Sequence, residues 1–181
     1  MGKALKIIIA MALITILIVI SAITAVPLLE WLKDRLSPPR GKSSMFNLII
    51  AVKSYQTEYN RLPNISLSDT ELLESRGALF TILFAEDSIS NPREIKFYDD
   101  FPYENGHAGI VKNAASEWEL RDPWGNLYHL YLDADGDGKI PNPARTTSDD
   151  EPETLSTSIL VFSAGPDGDF TTWKDNIRSW E

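Results

Sequence analysis

Residues 7–29 read IIIAMALITILIVISAITAVPLL, 23 residues without a charged side chain. As a helix rising about 1.5 Å per residue, a run of that length covers roughly the hydrocarbon thickness of a bilayer. Lys3 and Lys6 precede it and Trp31 follows it, residue types suited to the two membrane–water boundaries. The run is longer than the apolar core of a secretory signal peptide and is not followed by a clear small-x-small cleavage site. The sequence therefore predicts a retained transmembrane or stem helix. On this reading residues 1–36 are leader and stem, residues 37–42 a proline-rich hinge and residues 43–181 one globular domain.

A domain of that size buries roughly two-thirds of its unfolded-chain surface and needs no disulfide to hold a core. The chain has no cysteine, which excludes thiol catalysis, disulfides and thiolate metal sites. Charge is divided unevenly. Up to Lys42 there are six basic and two acidic residues, +4, so with −9 for the whole chain the remainder carries −13. So acidic a domain repels phosphate backbones and suits divalent cations, and no nucleic-acid partner is expected. Basic residues flank the apolar run on both sides, and charge alone slightly favours a cytoplasmic C-terminal domain.

The proline pair Pro38-Pro39 predicts a break, after which a helix capped by Ser43 or Ser44 runs to about Tyr59. Its Leu48, Ile49, Val52, Tyr55 and Tyr59 recur at helical spacing and form one apolar stripe. Ser68-Asp69-Thr70-Glu71 has capping-box spacing and predicts a short helix from Asp69. Residues 78–84 supply further core candidates, and residues 85–113, rich in turn formers, read as a long loop with one short strand near residues 95–98. From Glu117 the texture is strand and turn: residues 117–121 (EWELR), 127–132 (LYHLYL) and 158–162 (SILVF) read as three strands. Helices first and antiparallel strands last predict an α+β fold, the amphipathic helix packed on a small C-terminal sheet.

Two acidic loops carry the candidate chemistry. In residues 133–140 (DADGDGKI), Asp133, Asp135 and Asp137 stand at loop positions one, three and five, glycine at six, and the Lys139 carbonyl falls where a backbone ligand is expected. Hard oxygen ligands so arranged point to Ca²⁺. Position twelve, however, is Ala144 rather than glutamate, and Pro141 and Pro143 forbid an exiting helix. In residues 163–175, Asp167, Asp169 and Asp175 form a second candidate oxygen cage, so that one or two Ca²⁺ ions are expected. Phosphate-loop, nucleophile-elbow and zinc-spacing patterns are all missing, and Asp99-Asp100 is a carboxylate pair without a visible partner, so the reading is non-enzymatic. His129, on a predicted strand, reads as structural.

Asp122-Pro123-Trp124-Gly125-Asn126 with Tyr128, then residues 162–168 (FSAGPDG), then Asp175-Asn176-Ile177 and Trp180, resemble the C-terminal half of the major pseudopilin of type II secretion, within the type IV pilin-like proteins. Residues 49–55 and 59–63 are similar to that family's middle helix and the turn that ends it. The resemblance implies that the apolar run is a pilin-like stem. It implies cleavage by a prepilin peptidase after Ala10, with Met11 as first mature residue and Thr15 at the fifth position, where the family has glutamate. It further implies a structural subunit anchored in the inner membrane, with a Ca²⁺-stabilised periplasmic domain and with membrane lipid, other pilin-like subunits or secretion-system components as partners in protein transport. A tethered Ca²⁺-binding or interaction module that never polymerises is the alternative.

Overall fold

A computed structural model of the chain describes residues 2, 11–16, 21, 38–66, 68–103, 108–146 and 151–180. Two compact units emerge, Met1–Ser37 and Pro38–Glu181. In the first, residues 11–16 are helical and exposed, and the Thr15 hydroxyl donates to the Met11 carbonyl at 2.6 Å. Thr15 is thus engaged with its own helix turn. The transmembrane helix expected over residues 7–29 is corrected here: no helix among the described residues is long and apolar enough to cross a membrane. Residues 7–10, 17–20 and 22–29, including the expected cleavage residue Ala10, lie outside the described set.

The second unit is a small α+β domain. Its long helix spans Pro38–Tyr59, starting five residues before the predicted cap. A helix has no partner for the N–H groups of its first turn, so the two prolines give up nothing there and begin the helix instead of breaking it. Met45, Leu48, Ala51, Val52 and Tyr55 form the buried stripe, while Ile50 on the opposite side is 61% exposed. The helix ends where Asn60 takes φ 52°, the left-handed turn that asparagine tolerates at a C-terminus.

The stripe lies on a four-stranded antiparallel sheet. Its strands are β1 (Leu73–Glu74), β4 (His129–Leu132), β7 (Ile159–Ser163) and β8 (Ile177–Arg178), in the order β1-β4-β7-β8. Register follows from alternation. Leu130 and Leu132 on β4, with Val161 and Ile159 opposite them on β7, join the core cluster beneath the helix. His129 faces Phe162 and Tyr131 faces Leu160 on the other side. That side is covered as well: Phe162 packs against Phe170, Trp173 and Trp180 of the C-terminal segment, so all five residues of β7 are buried.

Two hairpins complete the domain. The first joins β2 (Gly109–Lys112) to β3 (Trp118–Arg121), and the second joins β5 (Ile140–Pro141) to β6 (Thr154–Leu155). The helix expected after Asp69 is absent: residues 68–70 form a turn in which the Ser68 hydroxyl accepts the Thr70 amide, and the chain goes directly into β1. A short helix, Ala78–Leu83, follows and buries Leu79, Phe80, Ile82 and Leu83. Ser75, fully buried, ties the two sheet regions together. Its hydroxyl donates to the Leu120 carbonyl at 2.7 Å and accepts the Tyr128 amide at 2.8 Å.

The long helix is pinned to the sheet at its start. Tyr128 donates its hydroxyl to the Gly41 carbonyl at 2.9 Å, and a Cβ at Gly41 would stand 2.8 Å from Ile177 Cδ1 and 3.1 Å from Pro123 Cδ. Tyr128→Phe keeps the packing and removes only the hydrogen bond. It is expected to cost about 1 kcal/mol, because the Gly41 carbonyl keeps its helical partner. Urea denaturation of the two proteins measures this.

Candidate metal centre

The loop from β4 to β5 is shaped by its own carboxylates. Asp133, only 6% exposed, accepts the Gly136 amide on Oδ1 at 2.9 Å and the Gly138 amide on Oδ2 at 3.0 Å. Asp135 accepts the Asp137 amide at 2.9 Å, and Asp137 accepts that of Lys139 at 2.7 Å. Gly136 and Gly138 take φ 76° and 80°, left-handed conformations that let the chain fold around the three carboxylates.

A fourth carboxylate arrives from a distant segment. Asp69 Oδ1 accepts the amides of Ala134 at 2.7 Å and Asp135 at 3.1 Å, some 65 residues away in sequence. Asp69, Asp133, Asp135 and Asp137 each place one oxygen within 4.8 Å of the others. Oxygens about 2.3–2.6 Å from a Ca²⁺ ion on opposite sides of it lie roughly 5 Å apart, so these four fit around one such ion. Like charges at that spacing repel by about 1 kcal/mol per pair even at the dielectric constant of water. The amides offset part of this repulsion, and a cation would reverse it.

The predicted residues therefore divide. Asp133, Asp135 and Asp137 converge, and Lys139 closes the loop through its amide. Asp167, Asp169 and Asp175 form no such group among the described residues. Asp167 accepts the Thr172 hydroxyl at 2.6 Å and the Asp169 amide at 2.9 Å. Asp169 accepts both the hydroxyl and the amide of Thr171, and these bonds hold its carboxyl below the ordinary aspartate range. The Asp175 carbonyl faces Gly165. Asp69 is the residue that sequence reading missed. The local pattern at residues 68–71 describes a cap, and nothing in it signals a loop so far along the chain.

Other candidates are spent on structure. Asp100 accepts the Tyr98 hydroxyl at 2.8 Å, and Asp99 pairs with Lys96 at 3.2 Å. The His129 ring stacks on Phe170 with centroids 3.5 Å apart, and burial lowers its pKa.

Comparison of the chain with protein families, with curated proteins and with solved structures found no match. The pseudopilin resemblance is corrected on that ground, and with it the pilin-subunit function, the place in a secretion system and the single-pass location in the inner membrane. The physical reason lies in the residues that carried the resemblance. Asp122 accepts the amides of Trp124 at 2.9 Å and Asn126 at 2.8 Å, and Gly125 takes φ 96°. Gly165 and Gly168 likewise take positive φ in the 163–168 loop. Aspartate, proline and glycine at these offsets build tight turns in any fold that needs them, and so report turn chemistry rather than descent.

Proposed function

We propose that Pro38–Glu181 is a non-catalytic, Ca²⁺-stabilised binding domain, in which one ion held by Asp69, Asp133, Asp135 and Asp137 locks the β4–β5 loop to the segment before β1. The observation that carries this reading is the convergence of four carboxylate oxygens from two separate segments within 4.8 Å. Four protein carboxylates suit Ca²⁺, which accepts irregular shells of oxygen ligands, better than Mg²⁺, which usually keeps several of its waters. Because the ion joins two segments, its binding stabilises the fold and not merely one loop.

An ion that binds only the folded state stabilises it by about 2.7 kcal/mol at a hundredfold excess over Kd. For a domain of this size that is a rise in melting temperature on the order of 5–10 °C. The expected result is such a rise when CaCl₂ is added to the chelator-treated full chain. The shift should disappear in Asp137→Asn, where the altered side chain is exposed, and persist in Asp169→Ala. A melting temperature indifferent to Ca²⁺ would remove the reading.

A further inference from the structure

Residues 164–176 leave the end of β7, cross the outer face of the sheet and return as β8. In this flap residues 166–169, 171, 172 and 174 are exposed, while Phe170 and Trp173 are half-buried. Among the described residues, every hydrogen bond of residues 166–174 ends within residues 166–176. Rings join the flap to the sheet instead. Phe170 stacks on His129 with planes 8° apart and meets Phe162 edge-on at 5.7 Å, and Trp173 lies 5.3 Å from Phe162. Of these rings His129 alone can change its charge near neutral pH. Its Nδ1 is buried and has no hydrogen-bond partner among the described residues. A neutral imidazole tolerates this by carrying its proton on Nε2, but an imidazolium carries one on both nitrogens. The added N–H lies in the ring plane, where the ring of Phe170 stacked above cannot accept it.

We propose that His129 is the catch of a pH-operated flap: a proton taken up at Nδ1 releases residues 166–174 from the sheet and uncovers the aromatic surface of Phe162. The surrounding charges permit this. Glu74, opposite His129 on β1, favours the cation but is paired with Arg76 at 2.6 Å. Beyond the uncharged Phe162 on β7, Arg178 on β8 is paired with Glu151 at 3.0 Å. Tyr131, next on the same face of β4, is held in its neutral form by burial. The flap itself brings Asp167 and Asp169, whose carboxylates accept the hydroxyls of Thr172 and Thr171, and the exposed Lys174. Burial outweighs Glu74 and lowers the His129 pKa, so the closed flap prefers the neutral ring. Closure is therefore fully supported above the ordinary histidine value of 6.5 and loses that support as pH falls through the lowered one. The flap operates whether or not the metal centre is filled.

The test is fluorine NMR of the full chain carrying fluorotryptophan. The Trp173 resonance is assigned by its loss in Trp173→Phe, and the open state is read by saturation transfer. Between about pH 7.5 and 5.5 the ratio of open to closed flap should rise about tenfold, the equivalent of one buried N–H left without an acceptor. Trp118 and Trp124, elsewhere in the domain, should keep their positions. Neither His129→Phe nor His129→Gln can take up a proton, so the Trp173 signal of each should be independent of pH. The flap should stay closed in the first, which keeps a ring under Phe170, and be more open in the second. Phe170→Ala removes the stack and should open the flap already at pH 7.5. A Trp173 signal in the parent that does not respond to pH overturns the proposal. So does a response as large as the parent's in either His129 variant, since another group would then be titrating. Movement of Trp118 and Trp124 together with Trp173 also overturns it, because the domain would be opening as a whole.

Discussion

Asp122→Ala is expected to cost the domain about 4 kcal/mol, enough to lower its melting temperature by 10 °C or more. The side chain is fully buried, and both of its oxygens are in use. Oδ1 accepts the amides of Trp124 and Asn126, and Oδ2 accepts the Ser163 hydroxyl at 2.5 Å and the Asn126 side-chain amide at 3.2 Å. Ser163, itself fully buried, accepts the Gly165 amide at 3.0 Å, and Asn126 donates to the Gly165 carbonyl at 2.9 Å. One carboxyl therefore joins the end of β3 to the end of β7. Alanine would leave two amides and a hydroxyl without an acceptor, and each unmet buried donor costs about 1–3 kcal/mol. Asp122→Asn should recover most of the loss, since its amide oxygen still accepts from Trp124 and Asn126. Urea midpoints of the three proteins decide it, and an alanine variant within about 1 kcal/mol of the parent would show that water fills the site without penalty.

The same residue makes a pH prediction. Burial pushes the Asp122 carboxyl above the ordinary aspartate value of 3.8, against the lowering effect of the bonds from Ser163, Asn126 and Trp124. A carboxyl raised on folding binds its proton more tightly in the folded state. Its contribution is most favourable below the unfolded value and is lost as pH rises through the folded one. Asparagine does not titrate. The stability of the parent relative to Asp122→Asn should therefore fall as pH rises from about 4. Urea midpoints of both proteins across that range check it, and a constant difference would contradict the sign.

What was legible in the sequence was whatever a short window encodes. The helical stripe at Leu48, Val52 and Tyr55 and the alternation in β3 and β4 each follow from contact with a single core face, and the apolar run of β7 from burial on both of its faces. The Asp133 loop was legible because its geometry is set by its own carboxylates. By contrast, β2 was hidden inside a stretch rich in turn residues, and it is a strand because β3 pairs with it. Asn91 was equally silent. Fully buried, it donates to the carbonyls of Ile82 and Ile95 and accepts the Tyr59 hydroxyl at 2.6 Å, organising an irregular segment by contacts that no periodicity announces. Asp69 belongs with it, since its importance lies in a contact made only once the chain has folded. The two misleading signals were also local. An apolar run predicts a span by composition, and turn residues at familiar offsets predict a family, yet neither carries information about tertiary partners.

Gly165→Ala is expected to be as damaging as the loss of Asp122, for a different reason. Gly165 has φ 68°, where an alanine side chain costs roughly 1–2 kcal/mol. Crowding costs more than conformation here. A Cβ at residue 165 would stand 2.4 Å from the Asp175 carbonyl oxygen and 3.0 Å from its carbon, so backbone rather than a flexible side chain must move. That movement would displace the segment leading into β8 and loosen the hydrogen bonds that Gly165 makes to Ser163 and Asn126. The total is expected on the order of 4 kcal/mol, the range of the most severe single substitutions. Gly168→Ala separates crowding from conformation. Gly168 has φ 71°, but the nearest atom to its Cβ is Asn126 Oδ1 at 3.6 Å, an ordinary contact. It should show the conformational cost alone, about 1–2 kcal/mol. If thermal denaturation finds the two variants equally stable, the crossing of residue 165 with residue 175 is looser than the structure draws it, and the Asp122–Ser163 junction would have to hold the 163–168 loop without that support.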